Sequence, residues 1–274
     1  MRREENRTIG LVPTMGALHE GHLSLIHEAR ALCDVVVVSV FVNPAQFGPN
    51  EDFAAYPRDL TRDSALLAEY NVDYVFAPTS EEIYPAGFST YVTVDGLSDK
   101  LEGAARPGHF RGVSTVVSIL LHLVRPNFAF FGQKDAQQSI VIKQMVRDLA
   151  FDAEIVVSPI VREESGLAMS SRNVYLDDQE RRAATVLSRA LSQAQSLYAD
   201  GERSAPRLIE AVRSTIGSES LARIDYVSLN DADTLEKTDK LGDGPALLSL
   251  AVFIGKTRLI DNVVLGSQKN AAVA

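Results

Sequence analysis

Tryptophan is absent from the chain, and cysteine occurs once, as Cys33. A single thiol excludes internal disulfides and a thiolate-built zinc site. At the end of an amphipathic stretch, Cys33 reads as packing. Positive charge is also short: 27 Lys and Arg face 36 Asp and Glu, for a formal net charge of −9. Such a surface repels phosphate backbones, so general nucleic-acid binding is disfavoured and any phosphate needs a local basic pocket. Long apolar runs are missing as well. The longest, VVVVSVFV from Val35 to Val42, falls far below the ~20 residues of a membrane span and suits a buried strand. The charged start MRREENRTIG leads into no apolar leader core, which sets the expectation of a cytoplasmic protein without membrane contact. Internal repeats are absent, and the tail SQKNAAVA reads as frayed.

What remains is ordinary globular composition, 46% hydrophobic and 23% charged over 274 residues. Apolar runs rich in β-branched residues alternate with helical periodicity: TIGLV, GHLSLIHEARALC, VVVVSVFV, a helix near Leu60 to Tyr70, VDYVFA, a helix from Arg111 to Arg125, NFAFF, a helix from Ala136 to Leu149, then AEIVV. This predicts an α/β fold, a Rossmann-like doubly wound parallel sheet, over residues 1–160. From residue 161 to 274 the texture changes to a smaller α+β domain. It opens with the loop VREESGLAMSSRN, continues with one long helix from Asp177 to Asp200 and another near Pro206 to Ile216, and ends in RIDYVSLN, PALLSLAVFI and TRLIDNVVL, an antiparallel sheet.

Doubly wound sheets bind ligands beyond the carboxyl ends of their strands. PTMGALHEGH, NPAQF and GQKDAQQ follow three such ends. Within the first, His19 and His22 are three positions apart around Gly21. Zinc binding on an H-E-x-x-H helix needs histidines four apart, which disfavours a metal here. The glycines fit neither the dinucleotide pattern GxGxxG nor the P-loop. Gly255-Lys256-Thr257 also fails as a P-loop, because Leu250 stands where its first glycine belongs; a tight hairpin explains it. Two readings of the histidines stay open: ordinary capping or surface roles, or a helix start whose free N–H groups and positive dipole end hold phosphate with the imidazoles beside it. Met169-Ser170-Ser171-Arg172-Asn173 offers hydroxyls and a bidentate cation for phosphate, or else caps the following helix. Lys134 and Asp135 offer a cation and a carboxylate able to meet magnesium, or else form a solvated turn.

LVPTMGALHEGH, FVNPAQFGPNED, YPRDLTRD, FFGQKDAQQ and GLAMSSRN, in this order and spacing, resemble the pantoate–beta-alanine ligases over nearly the whole chain. The HxGH element and the MSSR element, which is KMSKS-like, are similar to the paired signatures of the nucleotidyltransferase superfamily that includes class I aminoacyl-tRNA synthetases. The resemblance implies ATP-dependent ligation of pantoate and β-alanine through an acyl adenylate, with ATP as substrate, Mg2+ present and a homodimer as the assembly. Carried over, Met15, Gly16, Ala17, Leu18, His19, Glu20, Gly21 and His22 would line the ATP site, with His22 the proton donor and His19, Lys134 and Arg172 sharing the catalytic electrostatics. Gly132, Gln133, Lys134, Asp135, Val161, Met169, Ser170, Ser171 and Arg172 would complete the nucleotide site. Asp135 would contact magnesium with the ATP phosphates, and Asp63 would be a further magnesium contact. Gln46, Gln138 and Asn43 would hold pantoate, and β-alanine would enter beside Gln46. Gln133 and Ala45 stand where the family usually carries Glu and a bulkier residue, and the family usually has a further stretch before TIGLV. Two other readings compete with this one: a nucleotidyltransferase acting on a phosphorylated acceptor, and a nucleotide sensor or RNA-binding relative of tRNA synthetases.

Overall fold

The computed structural model describes residues 7–49, 51–242 and 244–266; the expectation for the tail from Ser267 onward lies outside them. The chain divides into two compact units, Met1–Val161 and Arg162–Ala274. Val161 therefore closes the first unit.

In the first unit, strands β1 (Ile9–Thr14), β2 (Val35–Val40), β3 (Tyr74–Phe76), β4 (Phe128–Gly132) and β5 (Glu154–Ser158) alternate with helices α1 (Glu20–Leu32), α2 (Leu60–Glu69), α3 (Ser80–Ile83), α4 (Leu101–Ala105), α5 (His109–Val124) and α6 (Ala136–Asp148). All strand pairs are parallel, in the order β3-β2-β1-β4-β5. The chain winds outward from β1 to β3, then returns to β1's other side with β4. The loops of β1 and β4 consequently diverge and leave a crevice, the usual binding place in such a sheet. The strands carry the near-continuous Val, Ile and Phe expected of a sheet covered on both faces. Leu23, Leu25, Ile26 and Ala29 of α1 pack on Val12, Val36, Val38 and Phe130. Each fully buried large side chain of this kind contributes about 1.5–3 kcal/mol.

Two local devices fix the loops at the strand ends. The turn from β1 into α1 runs through Gly16 at φ 78° and Ala17 at φ 50°. Successive left-handed residues turn the following amides inward, and Asp63 of α2 meets them: its carboxylate accepts from Ala17 N at 2.8 Å and Leu18 N at 2.9 Å. Asp63 has no exposed surface. A side chain at Gly16 would approach the same carboxylate at 3.0 Å. The second device lies after β2, where the 3-10 turn Pro44–Gln46 rests directly on α5. A Cβ on Gly112 would come within 2.2 Å of the Ala45 carbonyl oxygen, so glycine is what lets the two backbones touch.

In the second unit, helices α7 (Asp178–Ala184), α8 (Val186–Ala199) and α9 (Ala205–Gly217) precede strands β6 (Ala222–Asp231), β7 (Ala246–Ile254) and β8 (Thr257–Leu265). The strands are antiparallel in the order β6-β7-β8. Leu187, Leu191, Leu208 and Val212 from the helices share a core with Leu229, Leu248 and Leu250 of the sheet. The single long helix expected from Asp177 is two helices. Thr185 breaks it: its amide bonds three residues back to Arg182 O at 3.3 Å while its hydroxyl donates to the same carbonyl at 2.8 Å. Gly255 and Lys256 form the hairpin between β7 and β8, with Gly255 at φ 57° and Ile254 paired to Thr257. Replacing Asp63 by Asn leaves one acceptor where two amides need one each, and a buried unpaired N–H costs about 1–3 kcal/mol. Asp63→Asn is expected to lower the unfolding free energy by that amount, read as a lower urea midpoint at unchanged slope, and an unchanged midpoint contradicts the clamp.

Candidate active site

The histidines of HEGH build the start of α1 with their own rings. His19 is the N-cap in extended backbone, φ −144° and ψ 174°, and its Nδ1 accepts the Gly21 amide at 3.1 Å. His22, at the third helical position, returns the contact: its Nδ1 accepts the His19 amide at 3.3 Å. This is a capping box made of two imidazoles instead of Ser or Thr with Glu. Because a main-chain N–H can only donate, both Nδ1 atoms are bare, and each neutral ring carries its proton on Nε2. The rings lie 4.0 Å apart. Burial first and the Lys134 charge second lower the His19 pKa to about 4. Burial, then His19 and Lys134, hold His22 well below the usual histidine value. Of the two roles left open by the sequence, the rings hold capping through Nδ1, and Nε2–H lies outside the capping box. With Nδ1 engaged in the capping box, Nε2–H is the position through which His22 would act as a donor.

Beyond β4, Gly132 leads into a 3-10 turn, Gln133–Asp135, and then α6. A Cβ on Gly132 would meet nothing within 4 Å, so no packing demands glycine and the space beside the strand end is open. Lys134 is no solvated surface residue: its side chain is 20% exposed, with Nζ 3.5 Å from Asp135 Oδ1. The Lys134 charge acts on both histidines and helps lower their pKa values. Asp135 remains 47% exposed. Gln137 and Gln138 part company on α6. Gln137 is buried and spends its amide on Glu102 N, Leu97 O and Lys100 O. Gln138 is half-buried, and its side chain makes no hydrogen bond among the described residues.

After β2, Asn43 is buried and saturated. Its Nδ2 donates to Gln46 Oε1 at 3.0 Å and Gly112 O at 3.2 Å, while its Oδ1 accepts from Ala45 N at 3.2 Å and the Tyr84 hydroxyl at 2.7 Å. The expectation of Asn43 as a pantoate contact is corrected accordingly: with both donors and both lone pairs engaged it braces Gln46. Gln46, 8% exposed, donates to Met15 Sδ at 3.0 Å. One N–H and one lone pair of its amide stay available. Asp63 is likewise corrected. Its two oxygens hold the β1–α1 turn and are closed to solvent, leaving no face for magnesium. No group of three or more His, Cys, Asp or Glu suited to a metal occurs among the described residues. Asp135, 47% exposed, suits the habit of Mg2+, which takes one or two carboxylates and completes its shell with substrate phosphates and water. No helix among the described residues is long and apolar enough to cross a membrane.

In the second unit, Met169, Ser170, Ser171 and Arg172 are all half-buried. Ser170 caps the 3-10 turn Ser171–Tyr175, accepting from Arg172 N at 3.3 Å. Asn173 anchors that turn with bonds of 3.1 Å to Glu163 and to Ala168 O. The loop is not the cap of the next helix, since Asp177 and Glu180 form that capping box themselves. The braces Tyr84, Gln137 and the Asp63 clamp were missed from sequence, because each is defined by a partner at least 35 residues away.

The family model for pantoate–beta-alanine ligase matches residues 1–264. A pantothenate synthetase of Pelotomaculum thermopropionicum is 58% identical over 264 residues, covering 96% of this chain and 93% of that protein. One of Moorella thermoacetica is 59% identical over 263 residues, covering 96% and 93%. The crystal structure of pantothenate synthetase from Thermus thermophilus superposes with a TM-score of 0.91 at 49% identity, covering 93% of this chain and 92% of that one. The Francisella tularensis ligase, complexed with beta-gamma ATP and beta-alanine, does so with a TM-score of 0.78 at 38% identity, covering 96% and 92%. With the doubly wound sheet, the imidazole pair and the amides at its strand ends, these matches show that the chain belongs to the pantoate–beta-alanine ligase family.

Proposed function

We propose that the chain joins pantoate to β-alanine using ATP, giving pantothenate, AMP and pyrophosphate through a pantoyl adenylate. The observation that carries this reading is the pair of Nε2–H donors on His19 and His22 with Lys134 beside them. In the first step a pantoate carboxylate oxygen attacks the α-phosphorus, and the bond from that phosphorus to the bridging oxygen of the β-phosphate breaks. Negative charge grows on the departing pyrophosphate. Fixed donors and a cation aimed at that charge stabilise the transition state without reorganising. In the second step the neutral amine of β-alanine attacks the acyl carbon, the bond to the AMP oxygen breaks, and the amine loses a proton to solvent. Holding amine and adenylate together supplies the effective concentration that an unactivated carboxylate lacks.

The half-buried Gln138 and the free part of the Gln46 amide suit the hydroxyls and carboxylate of pantoate, with β-alanine entering beside Gln46. The open face of Gly132 suits the nucleotide, and Met15 to His22 are assigned to its site on the family resemblance. Asp135 would hold Mg2+ with the phosphates, where the ion would neutralise part of their charge. Val161, Gln133 and, from the second unit's motif, Met169, Ser170, Ser171 and Arg172 are assigned to ATP on the family resemblance. A homodimer in the cytoplasm is proposed on the same ground.

Incubation with ATP, Mg2+, pantoate and β-alanine is expected to release AMP, and omission of pantoate to abolish the release; pantoate-independent AMP formation contradicts the reading. His22→Asn keeps an acceptor near the Nδ1 position for the His19 amide but removes the Nε2 donor. Pyrophosphate release in a single turnover without β-alanine should slow by about 10²-fold or more, and a rate within about threefold of normal removes His22 from the mechanism. The depressed histidines also make stability depend on pH. The unfolded chain protonates them near 6.5, whereas folded His19 resists protonation until about 4. Their contribution is therefore complete above about 6.5 and is lost as pH falls through the folded values. The urea midpoint should decline from pH 6.5 towards 4. Substituting both histidines, as in the His19→Asn, His22→Asn double variant, should flatten that decline, and an equally steep decline in the variant contradicts the assignment.

A further inference from the structure

Behind Gln46 stand three side chains that the reaction above leaves unused. Arg106, just past α4, grips Glu51 with Nε to Oε1 and Nη2 to Oε2, both at 2.7 Å. Its Nη1 lies 3.2 Å from Nε2 of His109, the first residue of α5. On the far side of that ring, Nδ1 lies 2.8 Å from the main-chain oxygen of Gln46. A carbonyl only accepts and a guanidinium only donates, so Nδ1 carries the proton and Nε2 is bare. The ring's tautomer is fixed from both ends, the arrangement by which a partner on one imidazole nitrogen sets what the other can do. Burial, and after it the Arg106 charge, lowers the His109 pKa to about 4, which keeps this tautomer neutral.

The turn that receives this hydrogen bond is weakly held by itself. Its own main-chain bonds are long, 3.4 Å from Gln46 N to Asn43 O and 3.3 Å from Phe47 N to Pro44 O. The aim of Gln46 consequently depends on outside braces. Asn43 holds the side-chain oxygen at 3.0 Å, and His109 holds the main-chain oxygen of the same residue. Arg106 reaches that oxygen too, at 3.5 Å. The pair of Arg106 with Glu51 is mostly shielded, with 16% and 23% of the side chains exposed, so it is far less screened than a surface pair.

We propose that Glu51, Arg106 and His109 form a positioning relay that fixes the Gln46 carbonyl, aims the Gln46 amide and thereby sets the affinity for the acid substrate. The proposal rests on the assignment of Gln46 to pantoate made above. None of the three touches substrate; they act through Gln46.

The test compares His109→Leu with His109→Asn, in which the side-chain NH2 stands near the Nδ1 position and still reaches the carbonyl. Three readouts are needed: KM for pantoate, KM for ATP, and amide hydrogen exchange at Gln46 and Phe47. His109→Leu is expected to raise the pantoate KM about 10-fold or more with the ATP KM within about twofold, and to speed exchange at both amides. His109→Asn should return the pantoate KM to within about threefold of normal. An unchanged pantoate KM in His109→Leu, an equal rise in both KM values, or no recovery in His109→Asn overturns the relay. Gln46→Ala separates the two claims: a normal pantoate KM there removes the substrate role of Gln46, while unchanged exchange in His109→Leu removes the relay itself. Should His109→Leu fail to fold, Glu51→Gln releases Arg106 at a half-buried position. It should shift the pantoate KM in the same direction by a smaller factor, and no shift contradicts the proposal.

Discussion

The active end of the first unit depends on one buried carboxylate. Asp63 accepts the amides of Ala17 and Leu18 and so holds a turn in which Gly16 and Ala17 both take positive φ. Left-handed backbone at a non-glycine residue is costly, and it persists where surrounding contacts over-determine it. Here the contact is a closed-off anion meeting two inward-facing amides, a small anion nest filled by the protein's own side chain. The direction of α1 follows from that turn, and the placement of His19 and His22 follows from α1. A carboxylate that looked from sequence like a metal contact is thus the fastener of the β1–α1 turn.

Charge is handled by the same economy of parts. The chain is acidic overall, at −9, so a polyanionic substrate must be met by local groups. Lys134 provides a full charge, and its nearness helps keep both imidazoles neutral. Neutral rings avoid three mutually repelling cations at the strand ends, yet they retain N–H donors in fixed directions. Donors set in place before the substrate arrives favour the transition state over rearrangement of the site. The amides on the other side follow the same logic. Asn43 and Gln137 are consumed by the scaffold, and that consumption leaves Gln46 and Gln138 as the amides with capacity to spare.

Much of this architecture was legible in the sequence because it is local. VVVVSVFV and NFAFF announce buried strands, the helical periods between them announce crossovers, and together they give a parallel sheet whose strand ends carry the polar motifs. The second unit's antiparallel strands and the Gly255-Lys256 hairpin were legible for the same reason. The break at Thr185 was not, since periodicity runs through it and only the hydroxyl's bond to Arg182 reveals it. In the site, residue types were legible and their division of labour was not. The tautomers of His19 and His22 depend on amides presented by a helix start, and Asn43 becomes a brace only when Tyr84 and Gly112 arrive from distant segments.

The central claim is that His19 and His22 are neutral at pH 7 with their protons on Nε2, and long-range nitrogen–proton correlation spectra of protein labelled with nitrogen-15 in histidine test it directly. The account predicts that at pH 7 both residues show an unprotonated Nδ1 and a protonated Nε2, in the pattern of a single tautomer. A pattern with both nitrogens protonated in either ring, or with the proton on Nδ1, would contradict it.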